Sequence, residues 1–313
     1  MKELYVERVL GGLYGLLVGD AAGVPYEFKA PSELPRLDAL ELPPPPGWQP
    51  AHDTAPPGAW SDDGAQALCL LESLLEQGRL DLADFGHRLV DWYAHGHLAV
   101  EGKTFDVGAQ TRKALTAIQR GVPAERAGLG GERDNGNGSL MRVLPLALWH
   151  RGSDDELARD AARQSLVTHA HPRSQVACAV YCLWARYTLH GQDDAWERAA
   201  STLRGLCVDR ADWQAEARTV VRPGEVLGGH GSGYVVDSLH SARWALEEGS
   251  FVRVVQRAIS LGDDTDTTAC IAGGIAGLRF GYGAIPSRWL ATLAGRPLVA
   301  PLEARLLTHL GLA

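Results

Sequence analysis

Residues 260–281 read SLGDDTDTTACIAGGIAGLRFG, and the junction inside this stretch decides the fold. Three aspartates and three threonines fill positions 263–268, and an apolar run of Ala, Gly, Ile and Leu follows at once. One of Asp264, Thr265 or Asp266 could cap a helix that starts near Thr267, but a cap needs only one such residue. Three carboxylates this close repel one another unless protons or a cation neutralise them, and hard oxygen donors suit Mg2+, Mn2+ or Ca2+. A second acidic group, Ser61, Asp62 and Asp63 in GAWSDDGAQALCLLESL, stands before another amphipathic helix some two hundred residues earlier. If the two helix N-termini meet, their carboxylates and hydroxyls make the donor set of a two-metal site. The glycines and alanines after Thr268 would let that helix lie close to its neighbours.

Helical periodicity dominates the rest of the chain. Segments near 4–17, 64–77, 80–95, 107–120, 139–150, 154–166, 172–190, 194–206, 236–248, 250–261, 267–280, 287–294 and 301–310 carry it. Leu68, Leu71, Leu74 and Leu75 share one face of a helix that Gly78 stops, and DDELARDAARQSL opens with acids suited to a helix N-terminus. No alternating run reads as strands. The expected fold is therefore all-α, a single compact orthogonal bundle of about 13 helices forming one domain over 1–313, with the acidic groups at helix N-termini. Three long loops interrupt it: a proline-rich crossing at 28–61, residues 121–138, and the glycine-rich 222–233.

At 313 residues and 45% hydrophobic composition the chain can build a sizeable core. Its net charge of -8 and pI near 5.8 argue against binding nucleic acid through bulk electrostatics. In the first twenty residues Glu3, Glu7 and Arg8 interrupt the start and Asp20 ends the apolar run, which fits a core helix rather than a signal peptide or membrane span. The five cysteines are scattered and show no metal-binding pair, so a reduced, cytoplasmic, monomeric protein is expected.

Smaller signals lie between these elements. RDNGNGSLMRVLPLAL sets Asn135, Gly136, Asn137 and Gly138 before a helix from Ser139, a loop whose backbone N–H groups can approach an anion. It is neither a Walker loop nor a dinucleotide fingerprint. His169 and His171 in VTHAHPRS, Tyr234 after the glycine-rich loop, Glu27 and Asp106 are candidates whose plain alternatives are capping and packing.

Taken in order, GLLVGDAAGVPYEF, WSDDG, FDVGAQT, NGNGSLMRVLPLAL, THAHP, GYVVDSL and GDDTDTTACIAGGIAGLRFG resemble the ADP-ribosylglycohydrolase family over roughly residues 5–285. That family includes dinitrogen-reductase-activating glycohydrolases and hydrolases of ADP-ribosylarginine and ADP-ribosylserine. The resemblance implies an all-α enzyme with two Mg2+ or Mn2+ ions that releases ADP-ribose from a modified protein or small-molecule adduct. Arginine is the favoured linkage, and serine or small-molecule adducts are the alternative. It implies that Ser61, Asp62 and Asp63 hold one ion and Asp264, Asp266 and Thr267 the other. Asp106 and Glu27 would serve as catalytic carboxylates. Asn137, Gly138, Ser139 and Met141 would receive the pyrophosphate, and His169 and Tyr234 would flank the ADP-ribose. Four positions depart from the family pattern: Ser61 and Gly64 stand for Thr, Asp263 for Gly and Ala109 for Asn. Two rival readings remain. DTDTT at 264–268 satisfies the D-x-D-x-T of haloacid-dehalogenase-type phosphatases, although no first strand precedes it, and the fold could bind ADP-ribose without cleaving it.

Overall fold

Gly11, Gly15, Gly19 and Gly23 recur every fourth residue, a spacing that places them in one line along a helix. The computed structural model describes residues 2–312, and helices form its framework. They are α1 (Lys2–Gly23), α2 (Asp62–Gln77), α3 (Leu82–His95), α4 (Ala109–Gln119), α5 (Leu144–Trp149), α6 (Asp154–Ser165), α7 (Pro172–Leu189), α8 (Ala195–Leu206), α9 (Ala211–Glu216), α10 (Val235–Ala245), α11 (Phe251–Ile259), α12 (Thr265–Phe280), α13 (Ser287–Thr292) and α14 (Arg296–His309). No strand occurs among the described residues, and the two isolated bridges, Leu129 to His169 and Gly136 to Tyr234, lie in loops.

The glycine line of α1 lies directly on the backbone of α12, which runs antiparallel to it. A Cβ added at Gly11 would overlap the carbonyl oxygen of Gly277, one at Gly15 that of Gly273, and one at Gly19 that of Ala269. At Gly23 it would overlap Asp266 itself. Only glycine allows helices to approach until main chain touches main chain. The last contact carries a functional consequence, because it sets the first turn of α12 against the end of α1, where Thr265 Oγ1 donates to the Gly23 carbonyl at 2.9 Å.

Asp20, the residue that marks the end of the apolar run, lies inside α1 and is fully buried. Its carboxylate accepts the N–H groups of Ser61 and Gly64, both at 2.8 Å, and so caps α2 from another helix. Gly64 is required here for space as well: a Cβ would come within 2.7 Å of Trp60 and 2.9 Å of Leu17. One helix thus fixes both acidic N-termini. Because α1 continues to Gly23, it is long and apolar enough to span a bilayer by length and composition, contrary to the shorter run expected, but 94% of that stretch is buried against protein.

Two further boundaries differ from the periodicity. Residues 139–143 form turns, and α5 begins only at Leu144, with Pro145 in its first turn where a missing N–H costs nothing. Helix α9 lies in a segment whose single buried anchor, Trp213, is too little to give a periodic signal. The proline-rich crossing is irregular apart from short 3-10 turns, and it is tied down by Trp48 Nε1 donating to Pro25 O at 2.8 Å and Gln256 Nε2 donating to Leu40 O at 3.1 Å.

The glycine contact can be tested by thermal denaturation. Gly277→Ala is expected to destabilise the protein by about 1–3 kcal/mol through overpacking against Gly11. Gly205→Ala in α8, where an added methyl meets nothing within 4 Å, is expected to be neutral or to stabilise by about 0.5–1 kcal/mol.

Candidate active site

The N-termini of α2 and α12 meet at the floor of a recess of about 420 Å³. Thr267 Oγ1 donates to Asp63 Oδ2 at 3.4 Å, joining groups 204 residues apart in sequence. Ser61 caps α2 as an ordinary N-cap would, accepting the Asp63 N–H, and its hydroxyl also donates to Asp63 Oδ2 at 3.0 Å. Asp264 behaves differently. It makes no side-chain cap to α12, and its Oδ2 instead accepts Asn137 Nδ2 at 2.7 Å. The simple capping explanation therefore fails for Asp264.

Ser61, Asp62, Asp63, Asp266 and Thr267 are buried, and Asp264 is half-buried. Asp63 Oδ1, Asp266 Oδ2 and Thr268 Oγ1 are buried oxygens without a hydrogen-bond partner. Burial, reinforced by the neighbouring carboxylates, holds Asp62, Asp63 and Asp266 well above the usual carboxylate range. Asp264 is raised by burial against the pull of the Asn137 amide. The fully buried cation Arg142 is linked to the cluster through an intermediary. Arg142 Nη1 donates to Gln66 Oε1 at 2.8 Å, and Gln66 Nε2 donates to Asp62 Oδ2 at 2.9 Å. Orphaned oxygens, hard donors and missing counter-charge together fit divalent cations.

Glu27 and Asp106 stand over this floor. Ligand atoms of Glu27, Asp264 and Asp266 lie within 4.8 Å of one another, and so do those of Glu27, His52 and Asp106. Burial and then the charges of Asp106 and Asp264 push Glu27 up to about 10. Asp106 is also raised by burial, with His52 opposing the shift, and its backbone sits at φ +54°. His52 Nε2 lies 2.6 Å from Glu27 Oε2 and 4.0 Å from Asp106 Oδ1. The rings of Phe28 and Phe105 flank it at 5.5 and 5.1 Å. Nothing in the local sequence marks His52; it arrives on the proline-rich crossing.

The opposite wall is the 136–141 loop. Gly138 packs against His169, where a Cβ would come within 2.9 Å of the ring, and burial lowers His169 to about 3, so the imidazole is neutral. The N–H groups of Gly138 and Ser139 have no backbone partner among the described residues. Gln110, a member of the FDVGAQT motif to which the sequence assigns no role, holds this loop in place by donating to the Asp134 carbonyl at 2.9 Å and accepting the Gly136 N–H.

The recess is lined by Glu27, Asp62, Asp106, Asn137, Gly138, Met141, His169, Asp264 and Thr267 among the residues singled out above. Ser61, Asp63 and Asp266 lie beneath its floor. Ser139 and Tyr234 adjoin this wall without lining the recess. The Ser139 hydroxyl accepts Ser165 Oγ at 2.8 Å in the core, and Tyr234 sits at the start of α10 with the Arg173 guanidinium 5.9 Å from its ring. His171 caps α7, accepting the Arg173 N–H at 3.1 Å.

The sequence model of the family described as ADP-ribosylglycohydrolase matches residues 1–312. The chain is 33% identical over 309 residues to ADP-ribosylarginine hydrolase Tri1 of Serratia proteamaculans, covering 96% of this chain and 79% of that protein. It is 28% identical to ADP-ribosyl-[dinitrogen reductase] glycohydrolase of Rhodospirillum rubrum, over 92% of this chain and 90% of that one. A solved ADP-ribosylglycohydrolase-related protein complex superposes with a TM-score of 0.77 at 32% identity and 99% coverage of both chains. With two acidic helix starts converging under one recess on this fold, the chain belongs to the ADP-ribosylglycohydrolase family.

Proposed function

We propose that this protein hydrolyses the glycosidic bond between ADP-ribose and a modified arginine, using two divalent cations held at the joined N-termini of α2 and α12. The convergence of Asp62 and Asp63 with Asp264 and Asp266, their oxygens buried and partly orphaned, carries the reading. Ser61, Asp62 and Asp63 would hold one ion, and Asp264, Asp266 and Thr267 the other, with Mg2+ or Mn2+ favoured by the all-oxygen set. Such ions supply Lewis-acid polarisation of the sugar hydroxyls and of a water.

The protein's own groups do the rest. Asn137 orients Asp264 through its amide, while the Gly138 and Ser139 N–H groups and the neutral His169 edge offer donors and a wall for the pyrophosphate. The oxocarbenium character that develops at the anomeric carbon is stabilised by the surrounding carboxylates. Glu27 and Asp106 face the same space and share the proton transfers. One accepts a proton from the attacking water, and one delivers a proton to the departing nitrogen. His52 fixes the Glu27 carboxyl by its 2.6 Å contact. Arginine is preferred as the linkage because two relatives that are 33% identical over more than nine-tenths of this chain bear that activity in their names and because the acidic recess suits a cationic leaving group.

Asp266→Asn and Asp63→Asn, tested with defined arginine- and serine-linked ADP-ribose, are expected to lower kcat/KM for the arginine adduct by roughly 10²-fold or more and to weaken Mg2+ binding in calorimetry. EDTA should abolish wild-type turnover, and an active Asp266→Asn variant would sink the proposal.

Stability in the absence of metal has a defined pH sign. Carboxyls whose folded pKa lies above the unfolded value contribute stability that is full at low pH and lost as pH rises through the folded value. For Glu27 the window runs from its ordinary range up to about 10, and for Asp20 up to about 7. The EDTA-treated protein should therefore show a Tm that falls between pH 5 and 8 by scanning calorimetry, and saturating Mg2+ should flatten that slope.

A further inference from the structure

At the mouth of the recess Phe28 and Asp263 hold each other in a backbone conformation that side-chain-bearing residues rarely adopt. Their φ angles are +59° and +52°. Such a residue is strained and persists only where its surroundings over-determine it. The surroundings here are a reciprocal pair of hydrogen bonds: Phe28 N–H donates to Asp263 O, and Asp263 N–H donates to Lys29 O, both at 2.8 Å. Glycine would adopt the same φ without strain, so the two side chains are what the strained arrangement keeps.

Those side chains are turned largely to solvent, with His52 the ring that Phe28 meets. Phe28 is 64% exposed. Asp263 is exposed too, and its carboxylate makes no hydrogen bond or ion pair among the described residues. Both line the catalytic recess. Asp263 also lines an adjoining recess of about 510 Å³, bounded by Pro31, His230, Asp237 and Trp244. The 231–233 segment forms the partition, with Asp264 N–H donating to Gly231 O at 2.8 Å. The Phe28 ring lies 5.5 Å from His52, which in turn touches Glu27. The rim is therefore adjacent to one of the two carboxyls that share the proton transfers.

We propose that Phe28 and Asp263 form the specificity clamp for that leaving group. Its guanidinium stacks on the Phe28 face and pairs with the Asp263 carboxylate, and the rest of the modified arginine passes into the adjoining recess. This rests on the arginine reading above. A planar cation with an apolar stem satisfies both side chains at once, whereas a serine-linked adduct carries no charge for Asp263 and no flat face for Phe28.

The test compares wild type with Asp263→Asn, Asp263→Gly and Phe28→Leu on ADP-ribosyl-arginine and ADP-ribosyl-serine, together with calorimetric binding of free ADP-ribose, which has no leaving group. Each variant is expected to raise KM for the arginine adduct roughly three- to tenfold, with a far smaller change in kcat and in ADP-ribose affinity. Asp263→Gly relieves the backbone strain and guards against a folding artefact, because it should show the same KM rise in a protein at least as stable. An unchanged KM in a wild-type background that cleaves the arginine adduct overturns the clamp alone. A parallel loss of ADP-ribose affinity also overturns it, by showing that the rim is merely structural. A wild-type protein that cleaves only the serine adduct overturns both the arginine reading and the clamp.

Discussion

The whole site depends on main-chain contact between α1 and α12. Glycine at every fourth position of α1 removes the Cβ layer that normally keeps packed helices 8–10 Å apart, and Gly273 and Gly277 do the same on α12. The consequence is positional precision at the end of the contact rather than extra buried area along it. Gly23 abuts Asp266, so the first turn of α12 cannot slide without a clash. One turn before Gly23, Asp20 receives the N–H groups of Ser61 and Gly64 and fixes the first turn of α2 in the same frame. Two acidic segments far apart in sequence are thereby held at one place by a single helix.

That precision works against electrostatics. Asp62, Asp63, Asp264 and Asp266 would separate if their helices were free to move, since burial and mutual repulsion both disfavour the charged forms. The fold resists with a continuous apolar core rather than with counter-charge. Arg142 is fully buried beneath the site, yet it spends its donors on Gln66 and Gln164 and stacks on Phe85, so it orients Asp62 through an amide without neutralising it. Holding carboxylates together with no direct ion pair leaves the cluster short of positive charge. A site built this way has high demand for cations at the positions of the orphaned oxygens.

What the sequence revealed and what it hid follow from the range of the forces involved. The acidic starts of α2 and α12 were legible because capping and charge crowding are local, and the glycine-rich character of α12 pointed to close packing for the same reason. Its partner line on α1 has an equally regular spacing and becomes informative only once the two helices are known to touch. Asp20 looked like the end of an apolar run, because a buried aspartate inside a helix makes sense only with the N–H groups it caps on α2. Nothing marks His52, and the role of Gln110 within FDVGAQT is hidden, since each acts on groups brought near by loops. The Ser139 hydroxyl turns into the core toward Ser165 while its N–H has no backbone partner among the described residues, a division between side chain and main chain that the motif alone does not reveal.

The site thus divides into two parts with different physical origins. The floor is carried by helices, two of which touch backbone against backbone, so that a side chain added along the glycine line of α1 meets the main chain of α12. The rim is carried by the 28–61 and 222–233 loops, which reach the floor through isolated hydrogen bonds such as Phe28 N–H to Asp263 O and Asn137 N–H to Gly233 O. Bonds of that kind hold the loop backbone while leaving its side chains free to differ. The chemistry of bond cleavage is therefore tied to the core of the fold, whereas the choice of leaving group rests on residues that can change without disturbing it. Phe28 and Asp263 stand at the boundary, each one residue from a carboxylate of the site and each with its side chain turned to the rim. Such positions can couple recognition of the departing group to the placement of Glu27 and Asp264.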